Sequence, residues 1–319
     1  MRYISINMEG RHFNMPAITI GTVGFGTRVS REESFAQLDY YFAQGGTWID
    51  TARVYGVGLL TEVLPHHKDS EETIGDWVRE RDIRDKVTIV TKGAHWDLAT
   101  KVKRVSPDAI RADIATSLQK LNMDYIDIYF LHNDDESVPV SEIMPVLHEI
   151  IQSGKARIIG ASNWRVQRIQ EANEYAQAHD LTPFSISQIK WSYGIPPTKP
   201  TVDMYEDQTQ YEGYKKLNMP IMAYSAQAAG FFIKTAKLGF DAEALGNTAA
   251  FLSEENNRRA EIVKKIMTDK NISASAASLG YLWSREVPVT ALIGCSTMEH
   301  LRTSLHGCEY FPEDPSVYE

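Results

Sequence analysis

Short apolar, β-branched runs recur along the chain, and longer stretches with apolar positions at helical spacing lie between them. The runs are AITIGTVG (17–24), TWIDT (47–51), KVTIVTK (86–92), YIDIYFLH (125–132), ARIIGASN (156–163), FSISQIKW (184–191), PIMAYSA (220–226) and VTALIG (289–294). Each reads as a strand buried on both faces, because the apolar positions run on without alternation. SFAQLDYYFAQ (34–44), PDAIRADIATSLQKL (107–121), SEIMPVLHEIIQSG (141–154) and RVQRIQEANEYAQAH (165–179) carry the 3.6-residue period of amphipathic helices. Gly45-Gly46 and Gly154 stand where helix C-caps are expected.

Strand–helix alternation predicts a parallel sheet. Eight such units with nothing left over predict a closed (β/α)8 barrel, with an open doubly wound sheet as the competitor. The leading RYISINMEGRHFN alternates around Glu9-Gly10 and predicts a hairpin capping the barrel bottom. Residues 198–210 and 231–255 read as loop-like insertions. No low-complexity linker or internal repeat divides the chain, so residues 1–319 read as one domain.

Composition narrows the function. The chain has 319 residues, 43% hydrophobic and 24% charged, with a net charge of −9 and no basic block. That argues against nucleic acid or an anionic membrane as a partner. MRYISINMEGRHF lacks a basic segment followed by an apolar run, and no stretch approaches a membrane span, so the expected location is cytoplasmic. Cys295 and Cys308 form neither a disulfide framework nor a metal spacing. His66-His67 lacks a third ligand at metal spacing, so no metal is expected. The glycine-rich GTVGFGT (21–27) fails the dinucleotide fingerprint, since the third glycine counted from Gly24 falls on Val29.

In an α/β barrel, reactive side chains gather where strands run out. WIDTARVYG (48–56) ends its strand in Asp50 and carries Tyr55 just beyond it. The next strand ends in Thr91-Lys92-Gly93 and the following one in Leu131-His132-Asn133-Asp134. Later strands supply Ser162-Asn163, Gln188 and Tyr224-Ser225. Each residue alone has an ordinary packing or solvation explanation, but an acid, a phenol, an ammonium and an imidazole on three successive strand ends form a constellation.

DTARVYG (50–56), SEETIG (70–75), TKG (91–93), LHND (131–134), GKARIIGASNW (154–164), AYS (223–225) and IGCS (293–296) together resemble the aldo-keto reductase superfamily over nearly the whole chain. The resemblance implies a tetrad of Asp50, Tyr55, Lys92 and His132, and an NAD(P)H-dependent reduction of an aldehyde, ketone or sugar-like carbonyl, or its reverse. In that reading Tyr55 is the general acid, Lys92 favours its phenolate, Asp50 steadies Lys92, and His132 polarises the substrate oxygen. At about 4 Å and an effective dielectric near 20, Lys92 would attract the phenolate by ~4 kcal/mol and pull the phenol pKa down.

The resemblance also implies the cofactor contacts, NADP(H) favoured and NAD(H) possible. Ser162, Asn163 and Gln188 would grip the nicotinamide carboxamide, Tyr224 would stack beneath its ring, and Ser225, Ala226 and Gln227 would meet the pyrophosphate. Gly26 and Thr27, beside Asp50, and Gly294, Ser296, Thr297 and His300 complete the set, with Ser296 and Glu299 in capping-box spacing. His300 and Ser304 depart from the family's usual residues there, which bears on the 2′-phosphate. Trp96, Trp164 and Trp191 are candidates for an aromatic substrate wall, and residues 57–69 lengthen the loop after the second barrel strand. The competing readings are a cofactor-binding sensor or channel-auxiliary subunit of the same fold, and a metal-dependent barrel hydrolase. The hydrolase would want His-x-His on the first barrel strand, where AITIGTVG has no histidine. Lys234 reads as a phosphate contact or, more simply, a solvated lysine.

Overall fold

The computed structural model describes residues 1–56 and 68–319; His66 and His67 lie outside the described residues. Two N-terminal strands, β1 (Tyr3–Met8) and β2 (Arg11–Pro16), form an antiparallel hairpin. Its turn residues Glu9 and Gly10 both have positive φ, which matches the twist of a two-residue hairpin. Eight parallel strands follow: β3 (Ile18–Gly21), β4 (Trp48–Asp50), β5 (Thr88–Gly93), β6 (Ile126–Leu131), β7 (Ala156–Ser162), β8 (Ile186–Lys190), β9 (Ile221–Tyr224) and β10 (Val289–Gly294). They close in chain order, with β10 pairing β3, so the chain is a (β/α)8 barrel with an N-terminal hairpin.

Helices α1 (Arg31–Ala43), α2 (Ser70–Arg81), α3 (Pro107–Leu121), α4 (Val140–Gln152) and α5 (Val166–Ala178) separate the first six barrel strands. Gly45 and Gly154 take left-handed φ just past α1 and α4, as helix-terminating glycines do. α6 (Gln208–Leu217) separates β8 from β9, while α7 (Phe231–Leu238), α8 (Ala242–Leu245), α9 (Glu254–Lys270) and α10 (Ala274–Trp283) separate β9 from β10. α11 (Met298–Leu305) follows β10. Much of the segment read as a loop at 231–255 is therefore helical. α7 has only eight residues, too few to display a period, yet it buries Phe231, Phe232 and Thr235. Lys234 on this helix donates to the Thr248 hydroxyl at 2.7 Å and the Leu245 carbonyl at 3.2 Å, tying the segment together.

Strand alternation sorts side chains between the two faces. Trp48, Val90, Ile128, Phe130, Ile158, Ile186, Met222 and Leu292 form the barrel interior, with Ile6, Met8 and Met15 of the hairpin packed against them. Gly160 leaves room for Phe130, because a Cβ there would lie 2.4 Å from the Phe130 ring. Two residues further along β4, β5 and β8 the same parity carries Asp50, Lys92 and Gln188 above this apolar layer. Positions of the opposite parity face the helices and build the larger core with Ile18, Ile49, Ile89, Ile159 and Ile189.

Candidate active site

Lys92 is fully buried. Its Nζ donates to Asp50 Oδ1 at 2.8 Å and Oδ2 at 2.7 Å, to the Thr51 carbonyl at 2.7 Å, and to Tyr55 Oη at 3.3 Å. Gln188 Nε2 adds a third bond to the Asp50 carboxylate, at Oδ1 and 2.8 Å. A buried ammonium survives only with such partners. Burial opposes its charge, but Asp50 and Tyr55 outweigh it and hold the Lys92 pKa above its ordinary value. Burial also pushes the Asp50 carboxyl up, with Lys92 and Gln188 pulling it back.

Tyr55 departs from expectation. Its desolvation exceeds the attraction of Lys92, so the phenol pKa is raised rather than lowered. The phenol is therefore protonated near neutral pH, and because Lys92 donates to its oxygen, its own proton is free to point elsewhere. His132 lies beside it, ring centroids 5.9 Å apart. Burial and the Lys92 charge hold the His132 pKa well below the ordinary range, so its imidazole is neutral. Asn163, with φ +60, donates to the His132 carbonyl at 3.1 Å and to the Ser162 hydroxyl at 3.2 Å. The Tyr224 hydroxyl in turn donates to Asn163 Oδ1 at 2.9 Å.

These groups line a cavity of about 710 Å³ at the C-terminal ends of the strands. Its walls pair proton-bearing groups, Tyr55 and His132, with a rim of amide and hydroxyl groups, Ser162, Asn163 and Gln188. Among the described residues, the Ser162 hydroxyl proton and Gln188 Oε1 have no protein partner. Such a site can position a polar planar group against an acid.

SEETIG has a structural explanation. Ser70 Oγ lies 2.7 Å from the Thr22 hydroxyl and 2.8 Å from that of Thr51, and Thr91 donates to Glu71 Oε1 at 2.6 Å. The start of α2 thus clamps the ends of β3, β4 and β5 around Asp50 and Lys92.

Residues 17–318 match the model of the aldo/keto reductase family. The chain belongs to this family. Among its relatives is norsolorinic acid reductase stcV of Emericella nidulans, 29% identical over 317 residues, covering 95% of this chain and 76% of that protein. The aryl-alcohol dehydrogenase [NADP(+)] of Phanerodontia chrysosporium is 28% identical over 307 residues, covering 90% and 74%. Norsolorinic acid reductase B of Dothistroma septosporum is 24% identical over 318 residues, covering 95% and 76%.

In this aldo/keto reductase the cavity wall includes Asp50, Tyr55, His132, Ser162, Asn163, Gln188, Tyr224, Ser225, Ala226, Gln227 and Gly294, all expected from the sequence. Lys92 sits behind them, reaching Tyr55 from below. Other expected residues lie off the wall. Thr27 is buried with its hydroxyl on the Gly24 carbonyl at 3.1 Å, and a Cβ on Gly26 would lie 2.1 Å from the Lys68 carbonyl oxygen. Both pack the loop after β3 onto the start of α2. Thr297, not Ser296, caps α11, accepting from the His300 N–H. Ser296 instead lies 3.1 Å from His300 Nδ1 on the exposed surface. Ser304 is buried on Gln227, whose other amide end holds Ser275.

Of the three tryptophans only Trp96 lines the cavity. Trp164 packs on Phe184 and Trp191 on Tyr211 and Tyr281, both fully buried in the core. Residues not foreseen on the wall include Val23, His95, Lys190, Pro196, Pro197 and Phe251. His95 and Lys190 lie two or three positions past Lys92 and Gln188, and reading the strand ends that far would have found them. Phe251 sits in the stretch read as a loop.

Proposed function

We propose that this chain transfers hydride between a nicotinamide dinucleotide and the carbonyl of an aldehyde or ketone, aryl carbonyls foremost, or runs the reverse oxidation. The observation that carries this reading is the Lys92 ammonium donating at once to Asp50 and Tyr55, with Tyr55 and neutral His132 facing one cavity. The cofactor, when bound, supplies the hydride. Ser162 and Gln188 fit its carboxamide, since each keeps a hydrogen-bonding site free of protein partners among the described residues. Tyr224, pinned through Asn163, fits a ring face. Four residues of the adjoining segment, Ser225, Ala228, Ala229 and Gly230, have positive φ, a curled backbone suited to phosphate oxygens. NADP(H) is preferred to NAD(H), in line with the P. chrysosporium relative, an NADP(+) aryl-alcohol dehydrogenase. The exposed Ser296 and His300 offer a hydroxyl and an imidazole rather than a guanidinium, which leaves NAD(H) acceptable.

The protein's own steps follow from the geometry. His132 donates an N–H to the substrate oxygen and orients it. As negative charge grows on that oxygen, Tyr55 delivers its proton, and the Lys92 N–H already on the phenol oxygen stabilises the phenolate left behind. Asp50 keeps Lys92 charged throughout. The apolar layer beneath Asp50 keeps water away from the ion pair, which strengthens both interactions. The aryl preference draws on the P. chrysosporium relative's being an aryl-alcohol dehydrogenase and on Trp96 and Phe251 in the wall. One barrel domain working without a metal in the cytoplasm completes the proposal.

Tyr55→Phe tests it. The variant should bind NADPH as the wild type does, read by protein fluorescence, while carbonyl turnover falls at least about 100-fold. Near-wild-type turnover overturns the role of Tyr55. Tight cofactor binding with no wild-type turnover across a panel of aryl and aliphatic carbonyls overturns the enzyme reading in favour of a sensor.

A further inference from the structure

His95 stands in the cavity wall with no part in the chemistry described so far. Its ring lies edge-on to His132, centroids 4.6 Å apart, and 4.3 Å from that of Trp96. Its Nδ1 is 2.8 Å from the Trp96 carbonyl. A carbonyl oxygen can only accept, so Nδ1 carries the proton. Burial lowers the His95 pKa, with nearby Arg53, Lys101 and Arg104 adding to that effect against the Trp96 hydrogen bond, and the ring is neutral. The neutral tautomer leaves a lone pair on Nε2. Among the described residues no donor meets that nitrogen. It is therefore an acceptor on the wall of a site whose other groups near the reacting carbonyl, Tyr55 and His132, serve as donors.

We propose that His95 accepts a hydrogen bond from a hydroxyl on the carbon next to the reacting carbonyl, making α-hydroxy aldehydes and ketones the preferred substrates. This rests on the carbonyl-reductase reading. With the carbonyl oxygen held between Tyr55 and His132, the His95 imidazole, its ring centroid 4.6 Å from that of His132, borders the same cavity, where a substituent one carbon away can reach it. A hydroxyl there finds a ready acceptor, whereas a hydrogen or methyl leaves a desolvated lone pair unmatched.

The test compares kcat/KM for two matched pairs, glyceraldehyde against propanal and 2-hydroxyacetophenone against acetophenone, with NADPH. The hydroxylated member of each pair should be favoured by about tenfold in the wild type. His95→Phe should bring the ratio close to its value for uncatalysed reduction, chiefly by slowing the hydroxylated substrate. His95→Gln, which restores an acceptor near Nε2, should recover most of the preference. If His95 only supports His132 or Trp96, His95→Phe will slow both members equally and leave the ratio unchanged, which overturns the proposal. An unchanged wild-type ratio near that of the uncatalysed reaction does the same. No turnover of any of the four compounds overturns the carbonyl-reductase reading, and this inference with it. Turnover without the preference overturns this inference alone.

Discussion

The Lys92 ammonium has three N–H donors, and the Asp50 carboxylate, the Thr51 carbonyl and the Tyr55 oxygen take all of them. Nothing is left for solvent, which fixes the direction of every polar group around it. A buried carboxyl group, that of Glu71, lies close by. Burial pushes the Glu71 carboxyl from an ordinary 4.5 up to about 7, against the Thr91 hydrogen bond. Its folded pKa exceeds its unfolded one, so the fold favours the protonated acid. The resulting stability is present below about pH 4.5 and is lost as pH rises through about 7. Glu71→Gln should therefore flatten the loss of stability between these limits by about 3 kcal/mol. Urea unfolding at both ends of that window checks it, and an unchanged slope excludes Glu71 as the cause. At this scale Asp50, Lys92 and His132 were legible because strand ends are easy to locate and inward parity follows. Trp164 and Trp191 were not. Asn163, with φ +60, turns the chain before Trp164 and sends it onto Phe184. Trp191 is one residue out of phase with Gln188 and faces the helices. The raised Tyr55 pKa needed three dimensions, since a sequence cannot show how much desolvation opposes a nearby cation.

At the level of elements, α2 does more than cover the sheet. Asp69 caps it through the Glu72 N–H at 3.0 Å, Glu72 returns a bond to the Asp69 N–H at 3.0 Å, and Lys120 on α3 pairs with the same Asp69 carboxylate. That capping box holds Ser70 and Glu71 against the three strand ends. Asp69→Ala should cost about 1–2 kcal/mol in chemical unfolding. The loss should come with reduced kcat, because the clamp on β4 and β5 loosens. Full stability in the variant would show that the cap is replaceable by solvent. Existence and order of the eight strands could be read from their unbroken apolar runs, and those of α1, α3, α4 and α5 from the helical period. α7 and α8 could not, since a helix of four to eight residues shows too little of its period to stand out from a loop.

The whole molecule is a barrel with one closed and one open end. The hairpin stops the bottom with Ile6, Met8 and Met15 beneath the interior layer, and Tyr3 donates to the Gly45 carbonyl at its side. Met15 is completely buried, so Met15→Ala should destabilise by about 2–5 kcal/mol. KM values should stay unchanged, since the cavity opens at the other end; thermal unfolding and steady-state kinetics on one preparation separate the two effects. The closure itself has a consequence for how the molecule comes into being. Thr19 on β3 and Thr290 on β10 share a hydrogen bond across 271 residues of chain, and Gly21 pairs with Gly294 at the cavity rim. A nascent chain could assemble Asp50, Tyr55, Lys92 and His132 early, from neighbouring strands. The ring around them closes only once β10 has been made. Contacts so distant in sequence form late and slowly. The binding cavity is therefore complete only when β10 finds β3.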